Sequence, residues 1–309
     1  MTGPGQGADN RHPVLAGTGV VSSALVLLWL ALRHGRDLMH GRISDMAVVS
    51  GVAFCYLAFS QAASWWHRDV VGEAPADLRV TVVVTVFRED PAMFAAMLQS
   101  ISTQRRLPAR IHVVDDGSDS DDCRTEFEFW YRNLRPAILE AEYTWQPNAG
   151  KRHAQAVAFR ADPLADIYIT VDSDVSMAHR DTFGNLLAPF TDPRVKSVCG
   201  FLMGANRPRN LMYRLIELGF VNSFLNGRST YSAMGSVTVN TGGLAAYRSE
   251  VAQDNLGHYL RQRVMGRQVS SGDDAMMTRY ALLRGRTVFQ RSARLRGSVA
   301  RAPIMMASR

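Results

Sequence analysis

The feature that most constrains the fold is an alternation of β-branched apolar runs with helix-length segments between residues 79 and 290. Val80–Phe87 reads VTVVVTVF, a continuous apolar run that is typical of a strand buried on both faces of a sheet. Strands separated by helix-length segments form right-handed βαβ units, so the sequence predicts an α/β domain with a mostly parallel sheet. The further predicted strands are Ile111–Val114, Glu142–Trp145, Ile167–Val171, Val195–Val198 and Thr287–Gln290. The predicted helices run from Pro91 to about Thr103, from near Lys151, over Asn210–Leu225 and over Asp273–Leu283, and Val237–Tyr247 is predicted to be extended.

Two apolar stretches precede this domain. Val14–Leu32 holds 19 residues without a charge, and Met46–Trp66 holds 21 residues whose most polar side chain is Gln61. A helix needs about 20 apolar residues to cross a hydrocarbon core of roughly 30 Å. The sequence therefore predicts two transmembrane helices within residues 13–66, after a disordered segment 1–12 and before a linker 67–78. The alternatives are a signal peptide for the first stretch, which a second span following at once disfavours, and a buried helical hairpin for both.

The net charge does not indicate binding to nucleic acid. The formal charge is +7, but the 35 basic residues include only two lysines, Lys151 and Lys196, and the arginines are scattered. A nucleic-acid surface would gather such residues on one face. The three cysteines are odd in number and lack metal-ligand spacing, which indicates neither a disulfide framework nor a zinc site. We expect a lipid bilayer as a partner, and no nucleic acid.

The first acidic motif, Asp115-Asp116-Gly117, directly follows the second predicted strand. In parallel α/β sheets, ligands bind beyond the carboxyl ends of the strands. A carboxylate there can accept hydrogen bonds from a ribose or a nucleobase, and the glycine permits close backbone approach. The alternative is a structural turn or a helix cap in an acidic loop.

The second acidic motif, Asp172-Ser173-Asp174, ends the fourth predicted strand. Two carboxylates one residue apart offer hard oxygen ligands to Mg²⁺ or Mn²⁺, with substrate phosphates supplying further ligands. A simple turn is again the alternative. Two acidic strand ends in one sheet favour the functional interpretation.

Two predicted helices begin with charged residues: one begins with a basic residue and the other with two acidic residues. Lys151 follows Gly150 at a helix N-terminus, where a lysine and backbone amides suit a diphosphate, or else form a solvated basic helix start. Asp273 and Asp274 open the late helix. The helix dipole alone favours acidic residues there, but either one could also be a general base that takes a proton from a sugar hydroxyl.

The order of the motifs DDG, GKRHAQAVAF, VDSD, TGGLAAYR, GDD and GRTVFQRSAR resembles the processive family 2 glycosyltransferases, in particular the hyaluronan synthases. The similarity covers Arg79 to Arg294 and is most specific in Gly150–Phe159. It implies a GT-A nucleotide-sugar-binding fold and inverting transfer from a UDP-sugar to a growing glycan or primer. It also implies a multi-pass protein of the plasma membrane with a cytosolic catalytic domain, although the three arginines of Arg33–Arg42 would place that segment in the cytosol by the positive-inside rule.

The resemblance also implies a role for each motif residue. The predicted metal ligands for Mg²⁺ or Mn²⁺ are Asp172 and Asp174, and the predicted base is Asp274, with Asp273 beside it. The acceptor sugar is expected near Thr241, Gly242 and Gly243, where the family usually has Ser-Gly-Pro. The predicted nucleotide-binding residues are Phe87, Glu89, Asp115, Asp116 and Lys151.

One motif of the resembled family does not occur in the sequence. The Gln-x-x-Arg-Trp motif is missing, and residues 291–309 are predicted to be an irregular arginine-rich tail. We therefore expect a C-terminally truncated form of a synthase that builds a hyaluronan-like polysaccharide from UDP-GlcNAc and UDP-GlcA. The alternatives are a chitin-oligosaccharide or other single-sugar β-glycan synthase, and a catalytically dead remnant that still binds nucleotide and membrane.

Overall fold

The structure is a computed structural model that describes residues 45–204, 218–264, 267–268 and 272–297, together with Leu25 and Trp29. The chain divides into two compact units, Met1–Trp66 and His67–Arg309. In the first unit, helix α1 (Asp45–Trp66) contains a 19-residue stretch, Val48–Trp66, that is long and apolar enough to cross a membrane. It is the one such helix in the described part of the chain. The other predicted span, 14–32, lies outside the described residues apart from the two isolated positions.

The strands of the second unit are β1 (Val80–Val86), β2 (Arg110–Asp115), β3 (Glu140–Trp145), β4 (Ile167–Asp172), β5 (Val175–Met177), β6 (Val195–Gly204), β7 (Leu244–Arg248), β8 (Arg263–Val264), β9 (Arg267–Gln268) and β10 (Arg286–Gly297). Eight of them form one sheet in the order β3-β2-β1-β4-β7-β6-β10-β5. Neighbours pair in parallel from β3 to β4 and between β6 and β10, whereas β7 is antiparallel to both β4 and β6, and β5 is antiparallel to β10. The sheet is thus mixed and mostly parallel. The short strands β8 and β9 form a separate antiparallel pair.

Helices cover both faces of this sheet. They are α2 (Pro91–Ser102), α3 (Asp122–Asn133), α4 (Lys151–Ala161), α5 (Thr182–Leu187), α6 (Ser229–Ala233), α7 (Ser249–Gln253), α8 (Leu256–Arg261) and α9 (Asp273–Leu282), with a 3₁₀ turn at Ala188–Thr191 and a π-helix at Ser223–Arg228. The start of α2 shows why the sequence folds this way: the Asp90 carboxylate accepts a hydrogen bond from the Ala92 amide at 3.0 Å, and Pro91 occupies the first turn.

The core lies on both sides of β1, as its unbroken apolar run predicts. Val82, Val84 and Val86 are buried in the cluster that contains the apolar faces of α2 and α3. Val83 points the other way, into the cluster that contains Phe159 of α4. A strand with both faces buried cannot alternate apolar and polar residues, which explains the sequence VTVVVTV.

The last strand differs from the prediction. It continues from Gln290 to Gly297, so the first seven residues of the predicted irregular tail 291–309 are part of the sheet. Phe289 pairs with Cys199 and Arg294 with Phe201, so this stretch spans five residues along β10 but only two along β6. The resulting bulge interrupts the period of two and hides the strand from pattern analysis. Residues 298–309 lie outside the described residues.

Two further segments refine the prediction. The predicted helix over Asn210–Leu225 falls partly outside the described residues, and its described end continues into the π-helix Ser223–Arg228. In the predicted extended segment Val237–Tyr247, only the part from Leu244 onward is a strand.

Candidate active site

The carboxyl ends of β1, β2 and β4 lie side by side, and we call them the β1–β2–β4 edge. Asp116 follows β2 and is buried. Its carboxylate accepts hydrogen bonds from the backbone amides of Ala149 at 2.9 Å and Gly150 at 2.8 Å, and from the side chain of Gln146 at 2.6 Å. Asp116 therefore fixes the loop that leads into α4.

Asp115, the last residue of β2, is equally buried. Its carboxylate accepts hydrogen bonds from the Ser118 amide at 2.8 Å and from the Tyr143 hydroxyl at 2.7 Å. Between these contacts, Gly117 has φ +85°, and a β-carbon on it would lie 2.6 Å from the backbone nitrogen of Asn148. The motif thus forms the structural turn that the sequence left as an alternative; its role toward a nucleotide stays a prediction.

Phe87 and Glu89 lie just beyond the end of β1. The ring of Phe87 is 44% exposed at this edge, and the Arg88 guanidinium lies 5.1 Å from its centre. Arg88 has φ +51°, an uncommon conformation for a residue with a side chain, and its amide donates to the Ser118 hydroxyl at 2.9 Å. The Glu89 carboxylate accepts a hydrogen bond from the Ser173 hydroxyl at 3.1 Å, which ties the end of β1 to the end of β4.

Lys151 is the first residue of α4 and lies between two carboxylates. Its ammonium is 2.8 Å from Asp172 and 3.4 Å from Asp273. Burial lowers the pKa of Lys151, but the charges of Asp172, Asp273 and Asp274 outweigh it and raise the pKa above its usual value. Lys151 is therefore a positively charged side chain that two carboxylates hold in place at a helix N-terminus. Helix N-termini bind anions through their free backbone amides.

The second predicted metal ligand, Asp174, has an excess of negative charge around it. Burial raises the pKa of Asp174, and Asp172 and Glu89 raise it further. In the described ranges, no three His, Cys, Asp or Glu side chains converge closely enough to hold a metal ion by themselves. Mg²⁺ is commonly held by one or two carboxylates together with substrate phosphates, so Asp172 and Asp174 fit a divalent cation that binds with a phosphorylated ligand.

Asp274 lies on the far side of the same site, in the first turn of α9. A β-carbon on Gly242 would be 2.7 Å from one Asp274 carboxylate oxygen and 3.4 Å from one of Asp172. A side chain at this position would displace the Asp274 carboxylate or the backbone of Gly242. Burial, followed by the charge of Asp273, raises the pKa of Asp274 to about 7, which suits a group that exchanges protons near neutral pH.

The other two predicted acceptor residues, Thr241 and Gly243, form hydrogen bonds within the domain. Thr241 is buried, and its hydroxyl donates to the Gly200 carbonyl at 3.3 Å. The Gly243 carbonyl accepts a hydrogen bond from the Asp172 amide at 3.4 Å. Of these three residues, only Gly242 lies close to the carboxylates of Asp172 and Asp274. We refer to the segment that contains it, residues 239–243, as the 239–243 loop.

Two residues near the site were not predicted. Gln155 donates to the Asp273 carboxylate at 3.3 Å and accepts a hydrogen bond from the Tyr259 hydroxyl. It lies in the GKRHAQA stretch, which could have indicated it. Arg228, at the end of the π-helix, donates to the Val239 carbonyl at 3.3 Å. Nothing in the sequence distinguishes it from the other arginines.

The solved structures identify the fold. The mixed sheet is that of the GT-A glycosyltransferase fold: the mannosyltransferase PcManGT from Pyrobaculum calidifontis, solved in complex with GDP-Man and Mn²⁺, matches with a TM-score of 0.58, 21% identity, 91% of this chain and 69% of that chain. GalNAc-T7, solved with UDP, GalNAc and Mn²⁺, matches with a TM-score of 0.50 and 15% identity over 77% of this chain and 49% of that chain.

The family follows from the sequence. The model of glycosyl transferase family 2 matches residues 81–256, more than half of the chain, and the chain therefore belongs to glycosyltransferase family 2. It is 33% identical over 287 residues to a hyaluronan synthase of Streptococcus pyogenes, covering 91% of this chain and 66% of that protein. It is 29% identical over 246 residues to an N-acetylglucosaminyltransferase of Rhizobium meliloti, covering 76% of this chain and 56% of that protein. The chain thus spans just under two thirds of the length of the first relative.

Proposed function

We propose that this chain is a membrane-bound inverting glycosyltransferase that uses UDP-GlcNAc and UDP-GlcA to build a hyaluronan-like polysaccharide. The observation that carries the proposal is the convergence on Asp172. The Lys151 ammonium lies 2.8 Å from its carboxylate on one side, and Gly242, in contact with Asp274, approaches it on the other. A cationic helix start for a leaving diphosphate and a carboxylate of raised pKa for an attacking hydroxyl are the two groups that an inverting transfer needs.

The donor is assigned to the β1–β2–β4 edge. The uracil and ribose lie against Phe87, Asp115 and Asp116, where an exposed ring and an ordered acidic turn are available. Lys151 and the first amides of α4 bind the diphosphate. Glu89, whose carboxylate accepts a hydrogen bond from the Ser173 hydroxyl, lies at the same edge and is assigned to the nucleotide with these residues.

A divalent cation, Mg²⁺ or Mn²⁺, would be held by Asp172 and Asp174 together with the diphosphate. When bound, it supplies positive charge that stabilises the leaving UDP. The fit rests on the donor set: Asp172, at the end of β4, and Asp174, two residues further on, supply carboxylate oxygens, which are the ligands that Mg²⁺ and Mn²⁺ prefer.

The acceptor is assigned to the side of the 239–243 loop. Asp274 takes the proton of the acceptor hydroxyl while the hydroxyl oxygen forms a bond to the anomeric carbon of the donor sugar. The bond from that carbon to the UDP oxygen breaks in the same displacement, which inverts the configuration. Lys151 stabilises the negative charge that develops on the departing diphosphate.

The membrane assignment rests on α1 and on substrate supply. Val48–Trp66 is apolar and long enough to span a bilayer, and UDP-sugars are presented in the cytosol. With the predicted span 14–32 before α1, we place the N-terminus and the catalytic unit in the cytosol at the plasma membrane, with the segment 33–42 outside. Labelling a cysteine introduced at Gly35 in intact cells tests this; labelling that requires permeabilised cells would contradict it.

A second candidate function is transfer of a single sugar, as in chitin-oligosaccharide synthesis. It is favoured by the similarity to the N-acetylglucosaminyltransferase of Rhizobium meliloti. The two candidates differ in their donors, since only the first requires UDP-GlcA.

The experiment is to incubate membranes carrying the 309-residue chain with radiolabelled UDP-GlcNAc, with and without UDP-GlcA. Product that requires both donors supports the hyaluronan-like function, and product from UDP-GlcNAc alone supports the second candidate. Membranes carrying Asp274→Asn are the control. No transfer from either donor by the unaltered chain would contradict both candidates.

A further inference from the structure

The segment that follows α1 is fastened to the bulge of β10. The Asp69 carboxylate accepts hydrogen bonds from two consecutive backbone amides of the bulge, Arg291 at 2.9 Å and Ser292 at 2.6 Å. These amides lie in the stretch of β10 that falls out of register with β6. Asp69 thus supplies the acceptors that the neighbouring strand cannot.

A second set of contacts fixes the same junction. The side chain of Gln290 accepts from the Val70 amide at 2.9 Å and donates to the Val70 carbonyl at 3.0 Å and the Asn185 carbonyl at 2.8 Å. The ring of His67 stacks on Phe289 with centres 6.0 Å apart. Burial alone would raise the pKa of Asp69, but its hydrogen bonds to His67, Ser292 and Arg291 outweigh burial and lower it.

From the bulge, the contacts continue to the π-helix. The Arg291 guanidinium donates to the Ser229 hydroxyl at 3.0 Å and to the Leu225 carbonyl at 3.5 Å. Arg228, beside Ser229, stacks on Phe224 at 4.0 Å. The Arg291 side chain therefore connects the bulge to the end of the π-helix.

The π-helix in turn holds the 239–243 loop. Arg228 donates to the Val239 carbonyl at 3.3 Å, and three residues further on Gly242 lies against the Asp274 carboxylate. A displacement of the π-helix would move the wall of the acceptor side while leaving the β1–β2–β4 edge in place.

We propose that Asp69 is a positioning residue for sugar transfer, which holds the 239–243 loop against Asp274 through Arg291 and Arg228. This inference rests on the proposed function. It gives the segment after the apolar helix a role in catalysis although none of its residues touches the reacting groups.

The test compares transfer with hydrolysis in the full chain. Radiolabelled UDP-GlcNAc is supplied with a short oligosaccharide primer, and the lengthened primer and free GlcNAc are measured together. Asp69→Asn replaces one accepting oxygen by a donor, so the bulge shifts. We expect the ratio of transfer to hydrolysis to fall about tenfold, because a misplaced acceptor wall costs transfer more than attack by water. UDP affinity should stay within about twofold, because the change does not reach the β1–β2–β4 edge.

The ratio separates positioning from folding. Loss of folded protein lowers transfer and hydrolysis equally and leaves their ratio unchanged. Asp77→Asn, which removes an exposed carboxylate in the same segment, is the matched control and should leave both rates unchanged. An unchanged ratio in Asp69→Asn would overturn the positioning role.

Arg291 provides an independent measurement. Arg291→Met breaks the contact with Ser229 and should lower the ratio, and Arg291→Lys, which can still donate, should retain more of it. Because both residues act through one path, the double variant Asp69→Asn with Arg291→Met should be no worse than the more severe single variant. If the two substitutions lowered the ratio of transfer to hydrolysis additively, Asp69 and Arg291 would not act through one path. Absence of transfer in the unaltered chain would overturn the proposed function itself, a result distinguishable from an unchanged ratio.

Discussion

The β1–β2–β4 edge and the 239–243 loop meet at Asp172, yet they are built in opposite ways. On the edge, Asp115 and Asp116 are buried and accept hydrogen bonds from five donors. On the loop side, burial and the charge of Asp273 leave Asp274 with a pKa of about 7. The comparison teaches that the carboxylates of the edge are satisfied by hydrogen bonds, whereas the loop side holds a carboxylate whose raised pKa suits proton exchange near neutral pH.

The largest expected effect is a loss of sugar transfer when only the side of the 239–243 loop is altered. Asp274→Asn keeps the shape of the side chain and removes the proposed base, so we expect sugar transfer to fall by ~10²–10⁴-fold. UDP binding should stay near that of the unaltered chain. Radiolabelled transfer and calorimetric titration measure the two quantities, and Asp181→Asn, an exposed carboxylate, serves as control. A parallel loss of UDP binding would contradict the separation of the two sides.

A slightly smaller effect is expected from added volume. In Gly242→Ala the new β-carbon would lie 2.7 Å from Asp274, so the carboxylate or the loop must move. Misplacement by about 1 Å costs on the order of 10²-fold in rate. Gly219→Ala is the matched control, because a β-carbon there meets nothing within 4 Å. Equal activity of the two variants would show that the approach of loop and base is unimportant.

A substitution in the β1–β2–β4 edge should lower the stability of the protein. Asp116→Asn places an NH₂ group where the carboxylate accepts backbone amides, and leaving a buried donor unsatisfied costs about 1–3 kcal/mol. Thermal unfolding should show this loss, with reduced UDP affinity because the loop before Lys151 is released. Asp121→Asn, an exposed change, should leave both unaltered. Full stability of Asp116→Asn would mean that its hydrogen bonds do not order the loop.

The fold was predictable wherever the pattern was local. The buried run of β1 and the acidic ends of β2 and β4 follow from residues adjacent in sequence, and these placed Asp116 and Asp172 at one edge. The bulge of β10 was not predictable, because Asp69, which supplies its missing acceptors, is distant in sequence. Arg228 was missed for a similar reason, since only the tertiary structure brings the π-helix to the 239–243 loop.

Helix α3 shows another limit of pattern analysis. Cys123, Phe127 and Trp130 are spaced to face one side of a helix and are buried. They are embedded in a strongly charged segment, so the apolar stripe is narrow and no helix was predicted there. The position of Gly242 against Asp274 was likewise inaccessible, because a glycine in a sequence does not indicate which side chain approaches it.

The pH dependence of stability and of sugar transfer should both report on Asp274, on the loop side of the site. The folded-state pKa of Asp274 is about 7, above its ordinary value of 3.8, so the folded protein holds this proton more tightly than the unfolded chain does. Its contribution to stability is therefore complete below the ordinary value and is lost as the pH rises through about 7. Transfer should do the reverse and rise about tenfold per pH unit up to about pH 7, because the base must be ionised. Asp274→Asn should abolish the pH dependence of stability in this window; an unchanged dependence would contradict the assignment.

The most direct test of the central claim is calorimetric titration of UDP into the full chain with and without Mg²⁺. If Lys151 and a cation at Asp172 and Asp174 bind the diphosphate together, UDP affinity depends on the metal. Asp174→Asn should then weaken binding in the presence of Mg²⁺ by about 1–3 kcal/mol, as expected for a lost charged contact. Equal UDP affinity with and without metal, in the unaltered chain and in Asp174→Asn, would contradict the account.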